Sequence, residues 1–184
     1  MAGEVPSSKP GQKPAAKTGE TAAVTPQAPM TPGAALSLVL RTGAIILIVD
    51  RATKWWVVDV MDLGNRLVIE VMPPYLTFVM AWNRGINFGL FAGDEPALRW
   101  GLVALAVIVS AAITRWVTRR GERSMVLAAG IVAGGALGNA WDRVQYGAVA
   151  DFLNMSCCGI DNPYAFNVAD VAIFAGAMFL AWRA

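Results

Sequence analysis

The residues of this 184-residue chain that could do chemistry are few, and nearly all are carboxylates or amides. It contains no histidine, which removes imidazole bases, Ser-His-Asp and Cys-His arrangements and every histidine metal ligand at once. The only cysteines, Cys157 and Cys158, are adjacent. They cannot close a four-ligand metal site or staple distant segments, and they read as two small half-buried loop residues. No metal and no cofactor is expected. What remains is a set of ionisable and amide groups inside apolar sequence. Asp50 and Lys54 are spaced i,i+4, as are Asn139 and Arg143, while Asn139 and Asp142, and Asn167 and Asp170, are spaced i,i+3, so each set can share one helix face. Asp50, Lys54, Asp142 and Arg143 have opposite charges nearby and read as scaffolding ion pairs. Asp151 and Asp170 have no Lys or Arg within one helical turn. Two carboxylates brought together cannot easily both ionise, so such a pair shares a proton. One member then deprotonates a water while the other protonates a carbonyl oxygen.

Those groups must be positioned by membrane-spanning helices. The chain is 56% hydrophobic and 15% charged, with a mean hydropathy of +0.50, against about 25% charged residues in soluble domains. A net charge of +2, without a basic stripe interleaved with aromatics, excludes a nucleic-acid partner. Residues 1–35 hold six of the ten prolines and no apolar periodicity, which reads as a disordered tail without a cleaved signal peptide. Four apolar stretches follow, near 36–60, 97–117, 124–144 and 164–182, each about the 20 residues a bilayer crossing needs. The fold class expected is an all-α membrane protein of four transmembrane helices, with a small extracytoplasmic β-sheet between the first two. Arg66–Val71 and Tyr75–Met80, separated by Pro73-Pro74, supply its two strands.

Lys9, Lys13, Lys17 and Arg41 before or in the first span, and Arg115, Arg119, Arg120 and Arg123 between the second and third, predict both termini in the cytoplasm. All the intramembrane acids then fall in the outer half of the bilayer. Gly130, Gly134 and Gly138 recur every fourth residue on the third span, a packing face rather than a sign of activity.

Four blocks in order carry a resemblance. They are Asp50-Arg51-Ala52-Thr53-Lys54; Asn83-Arg84-Gly85-Ile86-Asn87-Phe88-Gly89; Gly134 through Arg143 with Val149-Ala150-Asp151-Phe152; and Phe166-Asn167-Val168-Ala169-Asp170. Together they resemble the lipoprotein signal peptidases, or signal peptidase II, over essentially all of the chain after residue 36. The resemblance implies an intramembrane aspartyl endopeptidase of the bacterial inner membrane, which cuts prolipoproteins just before a cysteine bearing a diacylglyceryl group. It implies Asp151 and Asp170 as the catalytic acids and Asn83, Asn139, Arg143 and Asn167 as the lining of the substrate cleft. Asp50, Lys54, Gly85 and Asp142 would be supporting residues, and the outer sheet a cradle over the site. The partners implied are the lipid bilayer, the diacylglyceryl-modified prolipoprotein and a globomycin-type inhibitor, with the chain a monomer. Asn87 departs from the family pattern, where a small residue is usual.

Three other readings of the same residues compete, one of them a non-catalytic assembly factor in which carboxylate-to-amide changes would preserve function. A Ser-Lys pair would use Ser156 and Lys54, although Asp50 lies one turn from that lysine. A small transporter or proton conductor would need ionisable groups on both sides of the midplane, and these cluster on one.

Overall fold

The computed structural model describes residues 28–85, 96–159 and 162–184. Most of the expected tail and the Asn87 departure lie outside them. Helix α1 spans Pro32–Lys54, with proline at its start and the Thr31 side chain accepting a hydrogen bond from the Ala34 amide. These are the residues that satisfy or dispense with the free N–H groups of a first turn. The helix thus begins a few residues before the apolar stretch that announced it. It continues as a π-helical segment, Trp55–Val60, then a single turn, α2, Leu63–Arg66. Strands β1 (Val68–Met72) and β2 (Leu76–Asn83) follow. Helices α3 (Pro96–Arg120) and α4 (Arg123–Tyr146) come next, then strand β3 (Val149–Met155) and helix α5 (Val168–Arg183).

Among the described residues, three helices are long and apolar enough to cross a membrane: Pro32–Val60 with 29 residues, Pro96–Arg120 with 25 and Arg123–Tyr146 with 24. The fourth expected helix is shorter than its apolar stretch. Residues 164–167 are not helical, Phe166 bridges to Leu153 of β3, and α5 begins only at Val168. Its 16 residues reach about 24 Å at 1.5 Å per residue. Asn167 explains the late start, because its side chain caps the new helix in a reciprocal capping box with Asp170.

The sheet also differs from expectation. It has three antiparallel strands in the order β1-β2-β3, so it is not confined to the segment between the first two spans. The third strand comes from the loop after α4, with Ala81 opposite Asp151 and Asn83 opposite Val149. Val149, Ala150, Asp151 and Phe152 are all buried in succession. A strand covered on both faces carries no polar alternation to reveal it.

Helix α4 is the axis of the bundle, with α1, α3 and α5 packed around it. Its glycine face allows backbone contact. A Cβ at Gly134 would lie 2.5 Å from the Gly43 carbonyl oxygen of α1, and one at Gly138 would lie 2.9 Å from Asp50 Oδ2. At one end of the bundle, Val39, Val117, Met125, Val126 and Leu180 form an apolar core. There the Met30 amide donates to the Gly121 carbonyl and Arg183 pairs with Glu122. At the other end Phe152 packs with Val57 and Leu63 under the sheet, edge-on to Phe78. Replacing Gly134 with alanine must push α1 off α4. We expect a loss of about 1–3 kcal/mol, read as a lower thermal unfolding midpoint of the purified protein, while Gly33→Ala, with open space around it, leaves the midpoint unchanged.

Candidate active site

The site lies where α1 and α4 end, α5 begins and β2 and β3 pair. The deepest layer is ionic. Lys54 is 2% exposed, and Asp50 and Asp142 are fully buried. The Lys54 ammonium donates to Asp50 Oδ2 at 2.8 Å and Asn139 Oδ1 at 3.3 Å, and pairs with Asp142 Oδ2 at 2.7 Å. Its three donors therefore have three acceptors. Asp50 Oδ1 accepts from the Ala169 amide, in the first turn of α5, where a negative charge meets the positive end of the helix dipole. Asp142 pairs through Oδ1 with Arg51 at 2.5 Å, and its Oδ2 accepts from the Ala150 amide at the start of β3. Asp142 and Arg143, adjacent in sequence, do not pair. Arg143 instead donates to the carbonyl oxygens of Gly85 (2.7 Å) and Asn139 (3.3 Å), tying the loop after β2 to α4.

Amides form the next layer. Asn139 donates from Nδ2 to Asp170 Oδ1 at 2.8 Å. Asn167 donates to Asp151 Oδ1 at 2.6 Å and to Asn139 Oδ1 at 3.1 Å, while its own Oδ1 accepts from the Asp170 amide. Asn83 donates to Asp151 Oδ2 at 3.0 Å and accepts from the Gly85 amide. Asp151 and Asp170 thus meet around Asn167, held by neutral donors, and neither forms an ion pair among the described residues. Burial, and after it the negative charge of Asp170, raise the Asp151 carboxyl to about 7 against the opposing hydrogen bonds from Asn83 and Asn167.

A cavity of about 480 Å³ opens beside Asp170, lined by Asn83, Tyr164, Phe166, Val171 and Phe174 among others. Of the four residues expected to line a substrate cleft, Asn83 lines this cavity. Asn139 and Asn167 are buried behind the carboxylates, and Arg143 braces the Gly85 backbone. The aromatic lining escaped the sequence reading because Tyr164 and Phe166 looked like ordinary helix residues. Arg51, the second cation on Asp142, escaped as well, although its one-turn offset from Lys54 was visible. Ser156 is bonded to Asn154 and the Asn162 amide, and Lys54 is occupied by two acids, so no Ser-Lys pair forms. Cys157 and Cys158 are exposed and joined by a disulfide, not half-buried thiols. They sit on a turn with positive φ at Cys158 and Gly159, at the rim of the sheet.

This fold is shared with two solved structures of a bacterial membrane enzyme determined by the in meso method. One, at 2.3 Å resolution, has a TM-score of 0.68 and 25% identity over 84% of this chain and 89% of that one. The other, at 1.9 Å, has a TM-score of 0.65, also at 25% identity, over 84% and 94%. The sequence agrees. Residues 42–184 match the family described as signal peptidase (SPase) II. Similar proteins include the lipoprotein signal peptidases of Methylobacterium sp. (strain 4-46), 45% identical over 77% of this chain and 84% of that protein, and of Rhodopseudomonas palustris (strain ATCC BAA-98 / CGA009), 37% identical over 82% and 92%. The chain belongs to the signal peptidase II family, and it is an aspartic-type signal peptidase of the membrane.

Lys54→Met removes the cation from between two buried carboxylates. It should cost about 3–5 kcal/mol, read as a collapse of the thermal midpoint, with Asp50→Asn in the same chain restoring part of it. The Asp151 carboxyl has a higher pKa folded than unfolded, so the folded state holds the proton more tightly. Its contribution to stability is complete below about pH 4 and is lost as the pH rises to about 7, a swing of about 4 kcal/mol at 1.36 kcal/mol per unit. Denaturant titrations of wild type at pH 5.5 and 8 should therefore differ, and Asp151→Asn should narrow the difference.

Proposed function

We propose that this protein removes signal peptides from diacylglyceryl-modified bacterial prolipoproteins, cutting just before the lipidated cysteine, with Asp151 and Asp170 as the catalytic pair. One observation carries the reading. A single buried amide, Asn167, donates to Asp151 while its oxygen accepts from the backbone of Asp170, so two acids distant in sequence are held to one side chain without a neutralising cation on either.

In this mechanism the pair holds one proton and a water between its carboxyl groups. The ionised member takes a proton from the water as its oxygen attacks the scissile carbonyl, and the protonated member gives its proton to the carbonyl oxygen. The tetrahedral species then collapses with a proton passed to the departing amine, and no acyl-enzyme forms. Asn83, Asn139 and Asn167 hold the carboxylates in register, Lys54, Asp50 and Asp142 hold those amides, and Arg143 holds the Gly85 loop.

The substrate enters sideways from the lipid. The aromatic cavity beside Asp170 opens at Phe174, which is 70% exposed, toward the medium in which diacyl chains remain soluble. α5 serves as the fourth crossing, with the shortfall in its length taken up by local bilayer thinning. Both termini face the cytoplasm of a bacterial inner membrane, the sheet lies over the outer leaflet, and one chain suffices for activity. A globomycin-type cyclic peptide would occupy the same cavity.

The test is a gel-shift assay on a diacylated prolipoprotein. Asp151→Asn and Asp170→Asn should each lower the rate by about 10²–10⁴-fold, and globomycin should block the wild type. Cleavage by either variant near the wild-type rate would rule out the pair.

A further inference from the structure

Two further cavities share no lining residue with the Asp170 cavity. The outer one, of about 390 Å³, is lined by Arg51, Asp59, Trp82, Trp141, Gln145 and Tyr146, with Lys54 at its base. The other, of about 480 Å³, is a nearly wholly apolar groove along α1 and α4, lined by Leu47, Ile48, Ala52 and Trp55. Arg51, Trp55 and Trp141 belong to both, so the two are continuous. At 1.5 Å per residue, Arg51 stands about 29 Å along α1 from Pro32, close to the thickness of a bilayer's hydrocarbon core. The polar cavity is thus toward the outer end of the span, and Leu47 and Ile48 lie one turn deeper.

We propose that these cavities hold one zwitterionic glycerophospholipid, with its phosphate at Arg51, its ammonium among the aromatic rings and Asp59, and an acyl chain in the groove. Charge selects the occupant. The Arg51 side chain is 25% exposed and its one partner among the described residues is Asp142 through Nη1, which leaves guanidinium donors for a phosphate. Trp82 and Tyr146 lie 5.6 Å apart between ring centroids, tilted 55°. They and Trp141 are each about half exposed, which suits an ammonium over ring faces. Asp142 already balances Arg51, and Asp59 adds a negative charge, so an anionic headgroup would bring one charge too many where a zwitterion brings none.

The site can be tested without any cleavage assay. The full chain is equilibrated in detergent with an equimolar mixture of dioleoyl phosphatidylethanolamine and dioleoyl phosphatidylglycerol, and retained lipid is counted by native mass spectrometry. Wild type should keep one phosphatidylethanolamine. Ala52→Trp, which fills the apolar groove, and Trp55→Ala, at an exposed position, should each lower retention about fivefold or more, and Asp59→Asn should move the preference toward phosphatidylglycerol. Thermal unfolding of each variant identifies those that fold, and the two groove variants are independent of one another. Wild type retaining neither lipid, wild type retaining both equally, or a folded groove variant retaining as much phosphatidylethanolamine as wild type would each overturn the proposal.

Discussion

A single buried ammonium organises this protein. Lys54 is almost completely enclosed, and an enclosed cation is tolerable only if every donor finds an acceptor and its charge is matched. Here the matching is more than complete. Asp50 and Asp142 contact Lys54 directly, and Arg51 offsets the second acid from the edge of the fold. Each acid then spends its remaining oxygen capacity on a backbone amide, Asp50 on Ala169 and Asp142 on Ala150. The cluster therefore ties the end of α1 and the last turns of α4 to the start of α5 and the start of β3. Those last two segments carry Asp170 and Asp151.

The same ammonium orients the amide layer. Lys54 has only donors, so it must face the oxygen of Asn139, and the Asn139 nitrogen is thereby turned to Asp170. Asn167 donates to that same oxygen, which directs its other hydrogen to Asp151. With an inverted Asn139, two donors would confront each other at Lys54 and a carbonyl oxygen would confront the Asp170 carboxylate. A charge one layer removed from the acids thus selects one amide arrangement for the whole site. Close backbone approach is the other requirement: Asp50 fits against α4 only because position 138 lacks a side chain.

Much of this was legible along the chain. The membrane helices announced themselves by length and apolarity, Asp50 and Lys54 by their one-turn spacing, and Asp151 and Asp170 by the lack of a cation near them. The third strand was not legible, because Val149 to Phe152 is buried without alternation, and neither was the delayed start of α5, because an apolar run does not reveal where a capping asparagine interrupts it. Asp142 illustrates a further limit. Its sequence neighbour Arg143 looked like its partner, yet successive residues on a helix point about 100° apart, and Asp142 turns to α1 while Arg143 turns to the loop after β2.

Residue type and local spacing settled which groups could act and which segments could lie in a membrane, because both depend on short-range periodicity and on the cost of placing charge in an apolar medium. The partners of those groups were decided only when the chain folded. Asn139 and Lys54 are 85 positions apart, and Asp50 and Ala169 are 119. Hydrogen bonds across such separations follow from how helices cross and where strands pair, and no local pattern encodes them.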